Sequence, residues 1–363
     1  MASSKTDPYR TYAMMAKPVG ASCNLCCSYC YYRDIATHTR MSDEVLESYI
    51  QQTIAMHGSK AAVEFVWHGG EPLLAGIDFY RRAAALQRKY ANGRVIVNNI
   101  QTNGTLINAA WAEFFAQESF IVGVSCDGPK NVHDAYRHNA AGSGSWQRVI
   151  AGINTCTEAG VRVDGLCAVH AANVGHPQEV YTFLRSLFPL IQFLPVCDLI
   201  MKDSHPSLSP ESVKADSFGK FLCTIYDMWT ADDPATRPVI STFEAIMRMS
   251  RGEPAGICEF EPTCGHAGSV EADGSVYACD RFADKPHILG NLLKTNLETL
   301  MEQNRPFGTS KLTNLAPECL DCAYLRLCFG GCPKKRIALA ASGSPINALC
   351  AAYRQLFSHI SSA

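Results

Sequence analysis

Three cysteines stand close together near the start of the chain, at Cys23, Cys27 and Cys30, in CxxxCxxC spacing. Thiolates are the usual ligands of iron–sulfur clusters, and three on one short loop can hold three irons of a four-iron cubane. The fourth iron would then lack a protein ligand and would stay open to a substrate, as incompletely ligated metals do in catalytic sites. The spacing therefore predicts a reactive cluster. Cys26 breaks the spacing and is predicted to be a bystander.

A structural zinc site or a set of buried thiols would explain the same three cysteines. Zinc needs a fourth ligand, and His38 is the only local candidate.

Eight further cysteines crowd the last part of the chain, enough to ligate two more cubanes with four thiolates each. They are Cys258, Cys264, Cys279, Cys319, Cys322, Cys328, Cys332 and Cys350. Zinc ribbons are the alternative, and the CxxC pair at 319–322 alone would favour zinc. The other cysteines lie mostly in apolar segments, which predicts ordinary buried residues. They are Cys26, Cys126, Cys156, Cys167, Cys197 and Cys223.

The composition is that of a globular protein, with 363 residues, 47% of them hydrophobic and 18% charged. A net charge of -2 gives no reason to expect nucleic acid or an anionic membrane as a partner. No apolar run reaches the roughly 18 residues of a membrane span, and the first residues lack the apolar core of a signal peptide. We therefore expect a cytoplasmic protein, in which so many cysteines indicate metal ligands rather than disulfides.

The chemistry must be positioned by a scaffold, and the first part of the chain alternates strand-like and helix-like segments. Strands are predicted near 10–16, 62–67, 94–100, 120–125, 161–169 and 191–196. Helices are predicted near 43–57, 78–91, 109–117, 145–159, 177–187 and 211–229. Six βα units imply parallel strands in an open, partial barrel of the α/β class. In such folds the active site lies at the C-terminal ends of the strands.

Polar motifs follow these strands. His68-Gly69-Gly70-Glu71-Pro72 follows the second strand, Asn103 follows the third, and Ser125 and Asp127 end the fourth. The two glycines would permit close approach to a ligand, and Glu71 offers an acceptor for an ammonium group.

A Pro-rich polar stretch, ADDPATRPV, marks a boundary near residue 235. Residues 1–235 are predicted to form the βα domain and residues 236–363 a second domain held by cysteine ligands. Asp273-Gly274 suits a tight hairpin turn between strands at 269–272 and 275–279.

The CxxxCxxC motif, with Tyr29 before its third cysteine, resembles the signature of radical S-adenosylmethionine (SAM) enzymes. The GGEP segment resembles the family motif that holds the methionine amine. Asn103, Ser125 and Asp127 resemble positions that contact SAM. The resemblance implies a partial (β/α)6 radical SAM barrel, a [4Fe-4S] cluster at Cys23, Cys27 and Cys30, and SAM as cofactor.

The late cysteines resemble the SPASM domain, the auxiliary-cluster module of radical SAM enzymes that modify peptides and proteins. By that resemblance the first auxiliary cluster would be held by Cys258, Cys264, Cys279 and Cys332. The second would be held by Cys319, Cys322, Cys328 and Cys350, which brings the total to three [4Fe-4S] clusters.

Within that class, the stretch from Cys23 to about Phe357 most closely resembles the anaerobic sulfatase-maturating enzymes. These oxidise a cysteine or serine of a sulfatase to Cα-formylglycine, through hydrogen abstraction by a 5′-deoxyadenosyl radical. The resemblance implies a polypeptide substrate and a one-electron donor such as flavodoxin or ferredoxin. It places the catalytic base at Asp280 and a catalytic tyrosine near that base at Tyr32.

One residue departs from the family pattern. The maturases usually carry glutamine before GGEP, where it meets the substrate peptide, whereas this chain carries His68. Histidine at this position is common in maturases that cross-link ribosomally made precursor peptides by thioether or cyclophane bonds. His68 is therefore a predicted substrate contact, and a cross-linking maturase is the alternative function. A non-catalytic electron carrier is a third reading, against which the SAM-like motifs argue.

Overall fold

A parallel sheet forms the centre of the computed structural model, in which residues 13–33, 39–202 and 205–362 are described. Six strands lie side by side in chain order, and all are parallel. They are β1 (Met14–Ala16), β2 (Val63–Trp67), β3 (Ile96–Thr102), β4 (Ile121–Ser125), β5 (Val163–Val169) and β6 (Leu190–Pro195). The predicted six-strand α/β arrangement is confirmed. The predicted first strand also included residues 10–12, which lie outside the described residues.

Helices connect the parallel strands, as crossover connections require. They are α1 (Asp43–Met56), α2 (Ile77–Tyr90), α3 (Ala109–Gln117), α4 (Lys130–His133), α5 (Trp146–Glu158) and α6 (Pro177–Arg185). The first helix shows why the sequence folds this way, because the Ser42 side chain accepts a hydrogen bond from the Val45 N–H at 3.2 Å. Its predicted apolar face, which includes Leu46 and Ile50, is buried. No helix among the described residues is both long and apolar enough to span a membrane.

Beyond the central sheet, a small antiparallel pair follows β6, made of β7 (Leu199–Lys202) and β8 (His205–Leu208). Two helices, α7 (Ala215–Ala231) and α8 (Ser241–Ser250), flank the short strand β9 (Val239–Ile240). The cysteine-rich part contributes β10 (Ser269–Val270), β11 (Ser275–Tyr277), β12 (Ile288–Asn291), β13 (Ala338–Leu339) and β14 (Pro345–Ile346). Its helices are α9 (Leu297–Gln303), α10 (Arg305–Thr313), α11 (Pro317–Leu320), α12 (Leu325–Cys328) and α13 (Cys350–Ser362).

The cysteine-rich part extends the central sheet instead of forming a separate one. Strand β10 pairs in parallel with β1, and β11 and β12 continue that edge as antiparallel neighbours. At the opposite edge β9 pairs with β6. Strands from both sides of residue 235 therefore share one sheet, and the division into domains 1–235 and 236–363 stays a prediction. The predicted hairpin is present, with Gly274 at φ +83° in its turn.

Candidate active site

The C-terminal ends of the central strands carry the residues singled out by their chemistry. Lys17 follows β1, His68 follows β2, Asn103 follows β3, and Ser125 and Asp127 end β4. Because parallel strands place their C-terminal ends at one edge of the sheet, these side chains surround the loop that carries the first cysteines.

Backbone hydrogen bonds hold that loop from two sides. The N–H groups of Gly70 and Glu71 donate to the carbonyls of Gly20 and Ser22, both at 2.8 Å. On the far side, the Cys26 N–H donates to the His138 carbonyl at 2.7 Å. The loop is therefore clamped between the end of β2 and the segment after α4.

The three predicted ligands of the first cluster lie together on this loop. Cys23 and Cys30 are exposed and Cys27 is half-buried. The surrounding protein shields the Cys23 sulfur from part of the solvent and so raises its pKa to about 12, and the charges of Cys27 and Cys30 add to the rise. Iron that binds here must displace thiol protons, as metals do at cysteine sites. Assignment of these residues as ligands stays a prediction, and His38 lies outside the described residues.

Gly69 and Gly70 let the backbone of β2 approach the cysteine loop itself. Gly69 has φ +116°, which other residues rarely adopt, and a Cβ on Gly70 would lie 2.2 Å from the Ser22 carbonyl oxygen. The space at Gly70 is thus filled by protein backbone. The glycines were predicted to permit close approach of a ligand, and in the structure it is the cysteine loop that lies close to them. Direct contact of either glycine with SAM stays a prediction.

Replacing Gly70 with alanine is expected to displace the cysteine loop. The added Cβ would collide with the Ser22 carbonyl, and moving either segment apart would break the backbone hydrogen bonds that join them. We expect loss of up to about a third of the iron of a three-cubane protein, measured after anaerobic reconstitution. Gly175→Ala is the matched control, since no atom lies within 4 Å of its added Cβ. Equal iron content in the two variants would contradict this account of Gly70.

Glu71 is fully buried, and its carboxylate already accepts three hydrogen bonds. The donors are the Leu73 N–H, the Thr102 hydroxyl and the Asn103 N–H, at 2.8–2.9 Å. Burial raises the pKa of Glu71 to about 7 although these donors oppose the rise. The visible role of Glu71 is to join the ends of β2 and β3, and its predicted contact with the ammonium group of SAM stays a prediction.

Asn103 and Ser125, the two other predicted SAM contacts, lie at the ends of β3 and β4 and differ in their hydrogen bonds. The Asn103 amide donates to Asn24 Oδ1 at 2.9 Å and lies 3.8 Å from the Cys23 sulfur. Asn103 therefore contacts the cluster loop directly. Ser125 Oγ accepts one hydrogen bond, from Gln101 at 3.1 Å.

Asp127 lies in a buried network instead of facing an open site. Its carboxylate pairs with Arg137 Nε at 2.7 Å and accepts hydrogen bonds from the Tyr29 hydroxyl at 2.5 Å and the Ala168 N–H at 2.9 Å. Burial opposes ionisation, but the Arg137 guanidinium and His170 hold the pKa of Asp127 well below its usual range. Tyr29 stacks on His170 with ring centroids 5.4 Å apart. Asp127 thus anchors the residue before Cys30, and its predicted contact with SAM stays a prediction.

Replacing Asp127 with asparagine should leave the buried Arg137 without its counter-charge. Breaking a buried pair in this way costs about 3–5 kcal/mol of stability. The exposed pair of Lys220 and Asp216 is the control, because Asp216→Asn should cost at most about 1 kcal/mol. Denaturant unfolding of both variants provides the measurement, and equal costs would contradict the role assigned to Asp127.

The late cysteines form two groups. Burial raises the pKa of Cys258 to about 11 and of Cys279 to about 12, and the nearby charge of Cys332 adds to both rises. Cys332 also adds to the rise at Cys264. These are the four residues predicted to hold the first auxiliary cluster.

The second group surrounds a cavity. Burial raises the pKa of Cys328 to about 12, with added effects from Cys350 and Cys319. Cys322 adds to the rises at Cys319 and Cys350. All four of these cysteines line one cavity of about 340 Å³. The grouping matches the predicted second auxiliary site, and the role as ligands stays a prediction.

The donor sets are thiols in one group of three and two groups of four, as [4Fe-4S] clusters require. All seventeen cysteines lie in the described residues, and each is a free thiol. Within those residues, no three His, Cys, Asp or Glu side chains converge as tightly as a single metal ion requires. A cubane takes one thiolate on each iron, so its ligands stand farther apart than around one ion. Of the six other cysteines, five are buried as predicted and Cys26 is half-buried.

Asp280 follows Cys279 and lies beside the end of β1. Lys17 Nζ is 2.7 Å from Asp280 Oδ1, and the Tyr31 hydroxyl donates to Oδ2 at 2.5 Å. Burial opposes ionisation, but Lys17 and the nearby His68 hold the pKa of Asp280 well below its usual range. Asp280 is therefore a carboxylate at neutral pH and can accept a proton.

The predicted Tyr32 lies near Asp280, whose charge adds to the burial that raises the pKa of Tyr32, but it is not the tyrosine that hydrogen-bonds to Asp280. The Tyr32 hydroxyl donates to Glu271 Oε2 at 2.5 Å, and the neighbouring Tyr31 makes the contact with Asp280. Successive side chains of the loop point in different directions, which spacing in the sequence does not determine. Tyr32 remains in the same cluster, with its ring centroid 3.7 Å from Lys17 Nζ. A catalytic role for Tyr32 stays a prediction.

His68 is half-buried and lies close to Asp280. Burial lowers the pKa of His68, while the charge of Asp280 opposes that change, so the imidazole is neutral at pH 7. Its Nδ1 lies 2.7 Å from the Gly69 N–H and accepts that hydrogen bond. The ring proton must then sit on Nε2, which makes His68 a hydrogen-bond donor beside the carboxylate. Contact of His68 with substrate stays a prediction.

Several site residues were missed in the sequence, although the strand-end rule could have found two of them. Lys17 and His170 directly follow β1 and β5, as His68 follows β2. Tyr31 carried no comparable signal, and Glu271 was placed inside a strand predicted to run to residue 272, whereas β10 ends at Val270.

A cavity of about 720 Å³ opens between the cysteine loop and the cysteine-rich part. Its lining includes Tyr29, Cys30 and Tyr31 from the cysteine loop, and Arg281 and Lys334 from the cysteine-rich part. The cavity also reaches the start of β7 through Asp198 and Leu199. An extended peptide that entered here would lie beside the first cysteine cluster and near the hydroxyl that contacts Asp280.

Comparison with known proteins gives one family match and several full-length relatives. Residues 18–184 match the Radical SAM superfamily model. A serine-type anaerobic sulfatase-maturating enzyme from Bacteroides thetaiotaomicron is 39% identical, across 98% of this chain and 92% of that protein. A cysteine-type anaerobic sulfatase-maturating enzyme from Clostridium perfringens is 32% identical, across 96% and 95%.

Solved structures are similar over the same extent. The structure of anSMEcpe with bound AdoMet superposes with a TM-score of 0.89 at 30% identity and covers 97% of this chain and 94% of that one. The structure of anSMEcpe with AdoMet and the Cp18Cys peptide gives 0.88 at 30% identity, with 96% of each chain covered. Streptococcus suis SuiB, at 14% identity and a TM-score of 0.65, shares the fold.

Proposed function

The chain belongs to the family of anaerobic sulfatase-maturating enzymes, and from that premise we propose that it oxidises one serine or cysteine of a sulfatase to Cα-formylglycine. The family is shown by 39% identity over 98% of the chain. The observation that carries the proposal is the meeting of the CxxxCxxC loop with Asp280 at one edge of the sheet, beside an open cavity. A radical source and a proton acceptor thus stand together where a peptide can enter.

The cofactors of this radical SAM enzyme are SAM and [4Fe-4S] clusters. We assign the SAM-binding cluster to Cys23, Cys27 and Cys30, whose thiolates leave one iron of a cubane free for SAM. The two late groups of four cysteines would each saturate an auxiliary cluster. Asn103 and Ser125 stand beside the first loop and would contact SAM. When bound, SAM and the first cluster supply the radical that removes a hydrogen atom from the Cβ of the target residue.

The residues of the chain complete the oxidation. After loss of the hydrogen atom, the target must still lose one electron and one proton. A serine then becomes the aldehyde directly, and a cysteine becomes a thioaldehyde that water hydrolyses to the aldehyde with release of hydrogen sulfide. Asp280 is ionised before the reaction begins, so it can take the proton from the target oxygen or sulfur. The cluster group of Cys258, Cys264, Cys279 and Cys332 adjoins Asp280 and would accept the electron.

The peptide would lie in the 720 Å³ cavity. The Nε2–H of His68 would hold the target residue beside Asp280, and Arg281 and Lys334 add positive charge to the lining of the cavity. A flavodoxin or ferredoxin would supply the electron that starts the reaction. The many free thiols suit the reducing conditions of the cytoplasm, which we propose as the location.

The proposal is tested with two synthetic peptides of about 18 residues, long enough to cross the cavity at ~3.3 Å per residue. One contains CxPxR and the other SxPxR, and each is incubated anaerobically with the reconstituted enzyme, SAM and a reductant. We expect formylglycine, detected as an aldehyde by hydrazine capture and mass spectrometry, in at least one peptide. Cleavage of SAM with no oxidation of either peptide would overturn the proposal and favour a cross-linking function.

A further inference from the structure

Lys17 is a fully buried lysine for which the proposed reaction has no direct use. Its Nζ lies 2.7 Å from Asp280 Oδ1 and 3.4 Å from Glu271 Oε1. A buried ammonium is costly unless it is paired, and a buried pair of carboxylates is costly unless a cation separates them. The ammonium group of Lys17 and the two carboxylates therefore stabilise one another.

The fold brings these residues together through the pairing of β1 with β10. Lys17 and Glu271 are the first residues after these two strands, and the Lys17 N–H donates to the Val270 carbonyl at 2.9 Å. The two neighbouring tyrosines of the cysteine loop each donate to one carboxylate, Tyr31 to Asp280 and Tyr32 to Glu271. Lys17 thus joins the loop that carries Cys30 to the hairpin that carries Cys279.

We propose that Lys17 is the positioning residue for Asp280: it fixes the carboxylate and supplies the positive charge that lets two carboxylates share the buried site. The inference rests on the proposed function, in which Asp280 accepts a proton. Of the other groups facing Asp280, His68 is neutral, and Arg281 lies 3.8 Å from its partner Asp198.

The first test replaces Lys17 with methionine, which keeps the length of the side chain but removes the charge. The reconstituted variant is assayed for iron, 5′-deoxyadenosine and oxidised peptide in one reaction. We expect oxidised peptide per 5′-deoxyadenosine to fall about tenfold or more, since the proton acceptor is misplaced after hydrogen abstraction. Lys89→Met, which removes an exposed lysine paired with Glu47, should keep the wild-type ratio. A wild-type ratio in Lys17→Met would overturn the proposal.

The second test removes the charge that Lys17 compensates. The double variant Lys17→Met/Glu271→Gln leaves a single carboxylate in the site. Its melting temperature should therefore exceed that of Lys17→Met by about 3 °C or more. It should also recover part of the lost ratio of oxidised peptide to 5′-deoxyadenosine. A double variant that is no more stable than Lys17→Met would overturn the proposal, even if Lys17→Met alone fails to fold well.

Failure of the proposed function is a separate outcome, in which the wild-type enzyme oxidises neither peptide. The stability comparison needs no peptide and then decides the role of Lys17 by itself.

Discussion

Replacing Cys23, Cys27 and Cys30 with alanine is expected to abolish SAM cleavage and to remove about a third of the iron. Three cubanes contain about twelve irons, and the first of them would lose every protein ligand. The loop should otherwise stay folded, because its clamp to Gly70 and His138 is made by backbone groups. The late cysteine groups, which lie in other elements, should keep their clusters.

The measurement is iron per protein together with 5′-deoxyadenosine after anaerobic incubation with SAM and dithionite. A variant with Cys26, Cys156 and Cys223 replaced by alanine is the matched control, because it removes as many cysteines from outside the predicted groups. Undiminished SAM cleavage in the Cys23/Cys27/Cys30 variant would refute the assignment of the first cluster.

Replacing Asp280 with asparagine should suppress formation of the oxidised peptide by about 10²–10⁴-fold, the usual contribution of a positioned base. The amide has the same shape but accepts no proton from the substrate. Lys17 keeps Glu271 as a counter-charge at 3.4 Å, so the variant should fold and retain its iron. Cleavage of SAM precedes the proton transfer and should continue, which uncouples 5′-deoxyadenosine from product.

Asp273→Asn is the control for this variant, since Asp273 lies in the exposed turn of the same hairpin. A structural role for Asp280 predicts the reverse pattern, with iron lost and activity per folded molecule preserved. Oxidation at the wild-type rate by Asp280→Asn would show that another group is the base.

The repeating βα pattern made the scaffold predictable from the sequence. Apolar β-branched runs alternating with amphipathic helical segments predicted all six central strands. The rule that active sites lie at the C-terminal ends of parallel strands placed His68 and Asn103 at the correct edge of the sheet. Spacing also set the eight late cysteines apart from the six others, and five of those six are buried as predicted. These features depend on residues close together in the chain, so they can be predicted from one sequence.

Contacts between distant segments were not predictable in the same way. Nothing in the local pattern shows that β10 pairs with β1, and that pairing places Glu271 beside Lys17. The direction of side chains within the cysteine loop is also set by tertiary contacts, so the sequence did not show that Tyr31 makes the hydrogen bond to Asp280. Asp127 can be buried because it pairs with Arg137, and no motif in the sequence indicated that pairing.

The central claim is that a hydrogen atom leaves the Cβ of a peptide residue for the radical derived from SAM. It is tested most directly with a peptide deuterated at the Cβ of its target serine or cysteine. Mass spectrometry of the 5′-deoxyadenosine formed with the wild-type enzyme should show one transferred deuterium, in step with formylglycine. Unlabelled 5′-deoxyadenosine accompanying oxidised peptide would contradict the account, because the hydrogen would then have left by another route.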